Sequence, residues 1–231
     1  MATYDHRIFR SWQQNAEAWT NAVRHAHIES RVLVTNQAIV EAVTAIHPRT
    51  VLDLGCGEGW LARTLAAQGL SVLGVDAIPV LVKRARQADC RATYRVSSYE
   101  DVVLGSLDGE ALFDAVVCNF SLFGQESVEQ LIGYVPRLLS PAGRFFLQTL
   151  HPQTANGDQP YQDGWREGSW QGFDRTFTDP APWYFRTLES WKQLLNLGAL
   201  TLEAVQEPIH PQTQQPASVI FVCNHSVLSH S

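Results

Sequence analysis

Short apolar runs alternate along the chain with longer segments in which apolar residues recur every three or four positions. The apolar runs predict strands near 50–54, 71–76, 92–96, 113–118 and 144–150. The helical periodicity predicts helices between them, near 59–68, 79–89, 99–107 and 126–138. Strands that alternate with helices in this way predict an α/β fold with a Rossmann-like, doubly wound parallel sheet.

The two ends of the chain carry further patterns. Near the start, apolar residues recur at helical spacing at Ile8, Trp12, Ala16, Trp19 and Val23, which predicts an amphipathic helix packed on the core. Beyond the last predicted strand of the core we expect a helix at 187–197 and strands at 200–207 and 217–224. The whole chain, 1–231, is then one domain with four parts: N-terminal helices at 1–47, a core at 48–150, an insertion at 151–186, and a closing helix with two strands at 187–224.

Composition and charge narrow the classes of protein. With 231 residues, of which 45% are apolar, the chain can bury a large core without disulfides. A net charge of -6 gives no general attraction to a phosphate backbone, so we expect no nucleic-acid partner. No apolar run approaches the length of a membrane span, and we expect no membrane partner. Four cysteines without a Cys-x-x-Cys pair, and a start without an apolar leader, predict a reduced, cytoplasmic setting.

A glycine-rich turn follows the first predicted strand, in the run Asp-Leu-Gly-Cys-Gly-Glu-Gly. Gly55, Gly57 and Gly59 permit backbone angles closed to other residues and let a ligand lie against bare main chain. The carboxylates of Asp53 and Glu58 would repel a pyrophosphate in a partly desolvated cleft, so a cationic cofactor is favoured over a dinucleotide. S-adenosylmethionine, with a sulfonium, an ammonium and no phosphate, meets that requirement.

This turn resembles motif I of the class I S-adenosylmethionine-dependent methyltransferases. Three later segments resemble further motifs of the same family in the same order: Leu73-Gly74-Val75-Asp76, Phe113-Asp114-Ala115-Val116-Val117-Cys118-Asn119 and Leu138-Leu139-Ser140-Pro141-Ala142-Gly143-Arg144. Other segments are similar to a bacterial small-molecule subgroup (methyltransferase type 11/12-like, ubiquinone-biosynthesis-methyltransferase-like): Ile28-Glu29-Ser30-Arg31, Thr149-Leu150-His151-Pro152 and Asp163-Gly164-Trp165-Arg166-Glu167. The resemblance implies a seven-stranded sheet closed by an antiparallel C-terminal hairpin, with an N-terminal helical lid.

The resemblance also implies which residues hold the cofactor. The glycine backbone would line the methionine part, Asp53 would attract its ammonium group directly or through water, and Asp76 would accept hydrogen bonds from both ribose hydroxyls. Arg31 is a candidate for binding the cofactor carboxylate, with a solvated surface arginine as the alternative. The full set of candidate cofactor residues is Arg31, Asp53, Gly55, Cys56, Gly57, Gly59, Asp76, Ala77, Ile78, Ser98, Tyr99, Asn119 and Phe120.

Departures from the family pattern bear on the acceptor. Ser98 and Tyr99 stand where many members carry an Asp near the adenine, and Asn119-Phe120 lacks the prolines typical of adenine- and glutamine-modifying enzymes. The oxygen ligands of a catechol-type magnesium site are also missing, so we expect no metal. His151 is a candidate general base for a hydroxyl or amine acceptor, the alternative being a histidine bonded to nearby backbone.

The insertion is rich in aromatic residues, and loop-rich segments of this length are usually functional. We expect it to cover the acceptor pocket, with Tyr161, Trp165 and Tyr184 as candidate substrate contacts. The alternative is a hydrophobic cluster that seals the sheet edge.

The sequence therefore predicts an enzyme, monomeric or homodimeric, that moves a methyl group from S-adenosylmethionine to an oxygen, nitrogen or carbon atom of a small molecule and releases S-adenosylhomocysteine. A non-catalytic cofactor-binding or regulatory protein that engages a partner through the aromatic insertion is the alternative. A nicotinamide-dependent dehydrogenase is a more distant one.

Overall fold

A computed structural model of the protein describes residues 3–225. The strands are β1 (Thr50–Leu54), β2 (Ser71–Asp76), β3 (Thr93–Val96), β4 (Phe113–Asn119), β5 (Leu139–Leu150), β6 (Gly164–Arg166), β7 (Trp183–Phe185), β8 (Leu200–Gln206) and β9 (Ser218–His225). The α-helices are α1 (Thr3–Arg24), α2 (Asn36–Thr44), α3 (Trp60–Ala66), α4 (Pro79–Ala88), α5 (Tyr99–Val103), α6 (Glu126–Tyr134), α7 (Pro152–Ala155) and α8 (Leu188–Leu197). A π-helix spans Arg31–Thr35 and a 3₁₀ turn spans Val135–Arg137.

Seven strands form one sheet in the order β3-β2-β1-β4-β5-β9-β8. The strands from β3 to β5 run parallel, and β9 pairs antiparallel with both β5 and β8. The predicted α/β sheet with an antiparallel C-terminal hairpin is therefore confirmed. The strand order reverses direction at β1 and β4, and ligands of such sheets bind beyond the carboxyl ends of the strands at that point.

Helices cover both faces of the sheet because side chains alternate along each strand. Val51 on β1 points into the cluster with α2, α3 and α4, whereas Leu52 and Leu54 point into the cluster with α6 and α8. All three side chains are fully buried. These two apolar layers fix the sheet, and the sheet fixes the positions of the loops at its edge.

Several details differ from the sequence prediction. Helix α5 ends at Val103 instead of near 107, and strand β5 begins at Leu139 instead of near 144. Helix α6 ends at Tyr134 instead of near 138, because Pro136 lacks the N–H that a continuing α-helix needs, and a 3₁₀ turn follows. The small sheet β6–β7 lies inside the insertion and was not predicted. The π-helix at Arg31–Thr35 was also not predicted, and such turns are frequent at functional sites.

Among residues 3–225 no helix combines the length and apolar character needed to cross a lipid bilayer.

Candidate functional site

A cavity of about 320 Å³ lies at the carboxyl ends of the parallel strands, beneath α1. The turn after β1, the residues after β2, β3 and β4, and one face of α1 form its walls. Most of the candidate cofactor residues line it: Arg31, Gly55, Cys56, Gly57, Asp76, Ala77, Ile78, Ser98, Tyr99, Asn119 and Phe120. Residues far apart in the sequence thus meet at the switch point of the sheet.

The three glycines of the turn have positive φ angles for different structural reasons. A Cβ on Gly55 (φ 75°) would overlap Ser121 beside it, so this glycine lets the β4 loop approach. A Cβ on Gly57 (φ 58°) would meet only Trp19 Nε1, at an ordinary contact distance of 3.7 Å, so little covers this part of the turn on the cavity side. Gly59 (φ 83°) lies outside the cavity lining, and its Cβ would stand 2.8 Å from Ala85 on α4. Its role is close helix packing, whereas contact between Gly59 and the cofactor stays a prediction.

Asp76 ends β2 with both carboxylate oxygens held by the backbone. The Gly57 N–H donates to Oδ2 and the Ile78 N–H donates to Oδ1, each at 2.8 Å. Burial raises the pKa of Asp76 to about 6, against the lowering effect of the two N–H donors. Each oxygen keeps a lone pair, so the fixed carboxylate can also accept two vicinal hydroxyls from the cavity.

Asp53 lies beneath the turn, 1% exposed, and does not line the cavity itself. Its Oδ2 has no hydrogen-bond partner among the described residues. Burial, followed by the negative charge of Asp76, raises the pKa of Asp53 to about 7, with a backbone N–H of Ala62 and the charge of Arg31 opposing. A cation above the turn would stabilise the ionised form of both carboxyls.

The raised pKa values give a pH prediction. Because Asp53 binds its proton more tightly in the folded protein than in the unfolded chain, the ligand-free protein should lose stability as the pH rises from about 4 to about 7. A ligand with an ammonium group requires the ionised carboxyls, so S-adenosylmethionine should bind about tenfold more tightly at pH 8 than at pH 5.5. Calorimetric titration at both pH values checks this result, and Asp53→Asn should flatten the dependence. Equal affinity at both pH values would contradict the coupling.

Glu58 corrects one step of the sequence argument. We expected its carboxylate to repel a pyrophosphate, but it is fully buried and paired with Arg24 Nε at 2.9 Å and Arg63 Nη2 at 2.8 Å. These arginines come from α1 and α3 and balance its charge. The preference for a cationic ligand therefore rests on Asp53 and Asp76 alone.

Arg31 is 8% exposed and lies on the wall of the cavity, so the solvated-surface alternative is wrong. Its guanidinium stands over the rings of Trp19 and Trp60, with centroids 5.5 and 4.8 Å away, and its Nε donates to Asn36 Oδ1 at 3.1 Å. Its Nη2 is buried without a partner among the described residues. A buried, unpaired guanidinium N–H is costly, so this group fits the carboxylate of an amino-acid ligand.

Other polar groups are already engaged. The Ser98 hydroxyl caps α5 by accepting from the Asp101 N–H at 3.1 Å, so only the remaining atoms of Ser98 are free to face a ligand. The Tyr99 hydroxyl donates to the Ser121 carbonyl at 3.1 Å. Asn119 Oδ1, in contrast, is buried without a partner among residues 3–225 and lines the cavity. Contacts of these side chains with the cofactor stay predictions.

Helix α1 forms the cover of the cavity. Its side chains Asp5, Ile8, Phe9, Trp12 and Trp19 line the cavity. The same helix is tied to the core, since Ala16 packs against Ile78 and Leu81 and Glu17 pairs with Arg84. The helical spacing of both tryptophans predicted core packing, because an amphipathic helix has the same spacing of apolar residues whether it faces a core or a cavity.

The insertion packs behind α1, and none of its described residues lines the cavity. Asn15 holds the backbone of Thr178 by two hydrogen bonds, donating to its carbonyl at 2.7 Å and accepting from its N–H at 2.9 Å. Trp170 packs edge-on against Trp12 at 5.7 Å between ring centroids. The observed cover is therefore α1, and the insertion supports it from outside.

The three candidate substrate contacts lie in this outer layer. Trp165 stacks on Tyr4 at 4.0 Å and meets Tyr184 edge-on at 5.5 Å. The Tyr161 hydroxyl accepts from the Leu188 N–H at 3.1 Å. The structure does not bring these residues to the cavity, and their contact with an acceptor stays a prediction. Their present contacts favour the alternative of a satellite aromatic cluster.

His151 follows β5 but is 1% exposed and absent from the cavity wall. Its Nε2 lies 2.9 Å from Glu207 Oε1, and its carbonyl accepts from the N–H groups of Thr154 and Ala155 at the start of α7. These contacts favour the alternative of a structural histidine, although its ring partner is the Glu207 carboxylate and not the backbone. A role for His151 as a base stays a prediction without geometric support.

Replacing His151 with alanine is expected to lower the free energy of unfolding by about 1–3 kcal/mol, because a buried hydrogen-bonded side chain is lost. Methyl transfer at saturating substrate should stay within about twofold of the parent rate. Thermal unfolding and single-turnover kinetics on the same preparation separate the two effects. A large loss of turnover with unchanged stability and cofactor affinity would restore the role as a base.

Comparisons with known proteins agree with this geometry. Residues 51–143 match the family model described as a methyltransferase domain. A ubiquinone biosynthesis O-methyltransferase of Xanthomonas oryzae pv. oryzae is 38% identical over 105 residues, and one of Xylella fastidiosa is 34% identical over 105 residues. These alignments cover 44% of the chain and 43% and 42% of the relatives, so the match spans less than half of either relative.

Solved structures share the fold across most of the chain. An S-adenosylmethionine-dependent methyltransferase from Mesorhizobium loti, 24% identical, covers 80% of this chain and 97% of its own with a TM-score of 0.57. The plantazolicin methyltransferase BamL, solved with a triazolic desmethylPZN analog and SAH, is 13% identical and covers 95% of this chain and 96% of its own with a TM-score of 0.67. The ordered motifs, the sheet topology and these matches together show that residues 51–143 match a methyltransferase domain, within a chain that has the fold of S-adenosylmethionine-dependent methyltransferases.

Proposed function

We propose that the protein transfers the methyl group of S-adenosylmethionine to an oxygen, nitrogen or carbon nucleophile of a small molecule. One observation carries the proposal. A single cavity contains three groups. They are the Asp76 carboxylate, held so that it can accept two hydroxyls, the bare backbone of Gly57, and the buried guanidinium of Arg31, whose Nη2 has no partner among the described residues. These groups match the ribose, the methionine chain and the carboxylate of the cofactor.

The residues of the cavity have separate roles in this proposal. Asp76 binds the ribose, Arg31 binds the carboxylate, and Asp53 supplies negative charge to the ammonium group through the turn. Asn119, which ends β4, and Phe120, which follows it, border the sulfonium methyl. The acceptor then approaches from the far side of these two residues, beneath α1.

The bound cofactor supplies a methyl carbon that is already activated by the sulfonium. The protein's contribution is alignment of the acceptor atom for in-line displacement and exclusion of water, which together can remove most of the barrier. The aromatic face of α1 and the insertion behind it serve the second task. An acceptor atom with a free lone pair needs no general base for this displacement.

The names of the relatives favour an oxygen acceptor. Their similarity to this chain is confined to less than half of each protein, whereas the acceptor end of the cavity includes α1. We therefore keep oxygen, nitrogen and carbon acceptors in the proposal.

The test is release of S-adenosylhomocysteine in the presence of a panel of small phenols, amines and carbon acids. Release that depends on one acceptor and yields its methylated product supports the proposal. Tight cofactor binding with no turnover on any acceptor, together with stoichiometric capture of a protein partner, would instead favour a non-catalytic binding protein.

A further inference from the structure

The cavity has two chemically different ends. The end at the glycine turn contains the groups assigned to the cofactor. The other end lies between the start of α1 and the segment after β4, and the residues that line it include Asp5, Phe9, Trp12, Glu100, Phe123 and Glu126. We call this second part the α1–α6 end. None of its residues belongs to the candidate cofactor set.

Aromatic rings form the walls of the α1–α6 end. Trp12 and Phe123 face each other from α1 and the β4–α6 connection, with ring centroids 5.4 Å apart. Phe9 lies one turn before Trp12 and packs in the same cluster. The Trp12 Nε1 is buried without a partner among the described residues. An apolar, flat group with an acceptor atom at its edge would fit these walls.

The charge at this end is negative. Asp5 is half-buried and fixed by the Ser127 hydroxyl, which donates to Asp5 Oδ1 at 2.9 Å. Glu100 and Glu126 stand exposed at the rim. No Lys, Arg or His side chain of residues 3–225 forms an ion pair with any of these three carboxylates.

The environment of Asp5 makes its carboxyl costly to ionise without a cation nearby. Burial raises the pKa of Asp5, with the Ser127 hydroxyl opposing and the charge of Glu126 adding to the rise. Arg31 is the only Lys, Arg or His among the described residues of the cavity wall, and it lies at the cofactor end. An anionic acceptor would therefore be repelled by carboxylates that have no ion pair with a side chain of residues 3–225, whereas a cation would be attracted by them and by the aromatic faces.

We propose that the α1–α6 end is the acceptor subsite, and that it selects a small molecule with a protonated amine on a flat, apolar body. Asp5 binds the amine, the flat body packs against the aromatic wall that Trp12 and Phe123 form together, and the glutamates at the rim attract the molecule from solution. The inference rests on the proposed function. It assigns acceptor selection to residues of α1 and of the segment after β4, where the sequence led us to expect the insertion.

The test uses three probes of similar shape and different charge: 2-phenylethylamine, 2-phenylethanol and 3-phenylpropionate. Each is titrated into the protein saturated with S-adenosylhomocysteine. We expect the amine to bind at least about tenfold more tightly than the alcohol or the acid. Equal binding of all three, tighter binding of the alcohol or the acid, or no binding of the amine at millimolar concentration would overturn the inference. Saturating the protein with S-adenosylhomocysteine, before any probe is added, measures cofactor binding by itself. Absence of that binding would contradict the proposed function, whereas cofactor binding without selective binding of the amine would contradict only this inference.

Two conservative substitutions test whether Asp5 and Glu126 cause the preference for the amine. Asp5→Asn keeps an acceptor for the Ser127 hydroxyl, and Glu126→Gln keeps the size of the side chain, so both should fold. The double variant should lose the tenfold preference for the amine while its affinity for S-adenosylhomocysteine stays unchanged. Glu129→Gln, on the same helix and outside this cavity, is the matched control and should keep the preference. Retention of the preference in the double variant would contradict the assignment.

Discussion

Replacing Asp76 with alanine is expected to weaken the binding of S-adenosylhomocysteine by about 100-fold or more. The carboxylate would accept both ribose hydroxyls, and each hydrogen bond to a charged group contributes about 1.5–3 kcal/mol. The substitution also releases the N–H groups of Gly57 and Ile78, which Asp76 holds at 2.8 Å. The substitution therefore removes the proposed ribose contact and also frees the turn that would hold the methionine part of the ligand. Calorimetric titration of the variant measures the change.

Asp114→Ala is the matched control for this variant. Asp114 Oδ2 also accepts two backbone N–H groups, from Arg49 at 2.8 Å and Thr50 at 3.2 Å, but it lies at the amino ends of the parallel strands. Its loss should lower stability and leave the affinity for S-adenosylhomocysteine within about twofold. A comparable loss of affinity in both variants would mean that Asp76 acts through general stability and not through the ribose.

Replacing Arg31 with methionine is expected to weaken S-adenosylhomocysteine binding by about 30-fold. The ligand carboxylate would lose a charge-assisted partner in a largely buried site, which is worth about 2 kcal/mol. Methionine keeps an apolar side chain between Trp19 and Trp60, so the wall of the cavity should persist. The measurement is the ratio of affinities for two ligands, S-adenosylhomocysteine and methylthioadenosine, which lacks the amino-acid end.

The ligand pair supplies an internal control. The Arg31 variant should bind methylthioadenosine as the parent does, whereas the Asp76 variant should lose both ligands. Arg91→Met, at an exposed arginine paired with Asp89, should change neither affinity. An equal loss of both ligands in the Arg31 variant would contradict its role at the carboxylate and indicate a general collapse of the cavity wall.

The sequence predicted the sheet well because its signals are local. Buried parallel strands such as β1 and β4 read as continuous apolar runs, and the turn after β1 needs glycines whose backbone angles other residues avoid. Asp76 could be placed at the site since the residue that ends a strand must lie at the ligand-binding edge. These inferences use only neighbours along the chain.

The features that the sequence did not predict depend on contacts between residues that are far apart along the chain. Glu58 was read as an open charge, because nothing in the sequence brings Arg24 and Arg63 to it. Trp12 has the same helical spacing whether its helix covers a core or a cavity. The aromatic density of the insertion led us to expect a cover over the acceptor pocket. Its packing against α1 depends on distant contacts such as Asn15 with Thr178, which the sequence does not reveal.

The most direct test of the central claim is calorimetric titration of the protein with S-adenosylhomocysteine, with NADH in a parallel titration. The account predicts micromolar binding of S-adenosylhomocysteine with one ligand per chain, and no measurable binding of NADH. Tight binding of NADH, or silence toward S-adenosylhomocysteine by a folded protein at pH 8, where the two buried carboxyls are ionised, would contradict it.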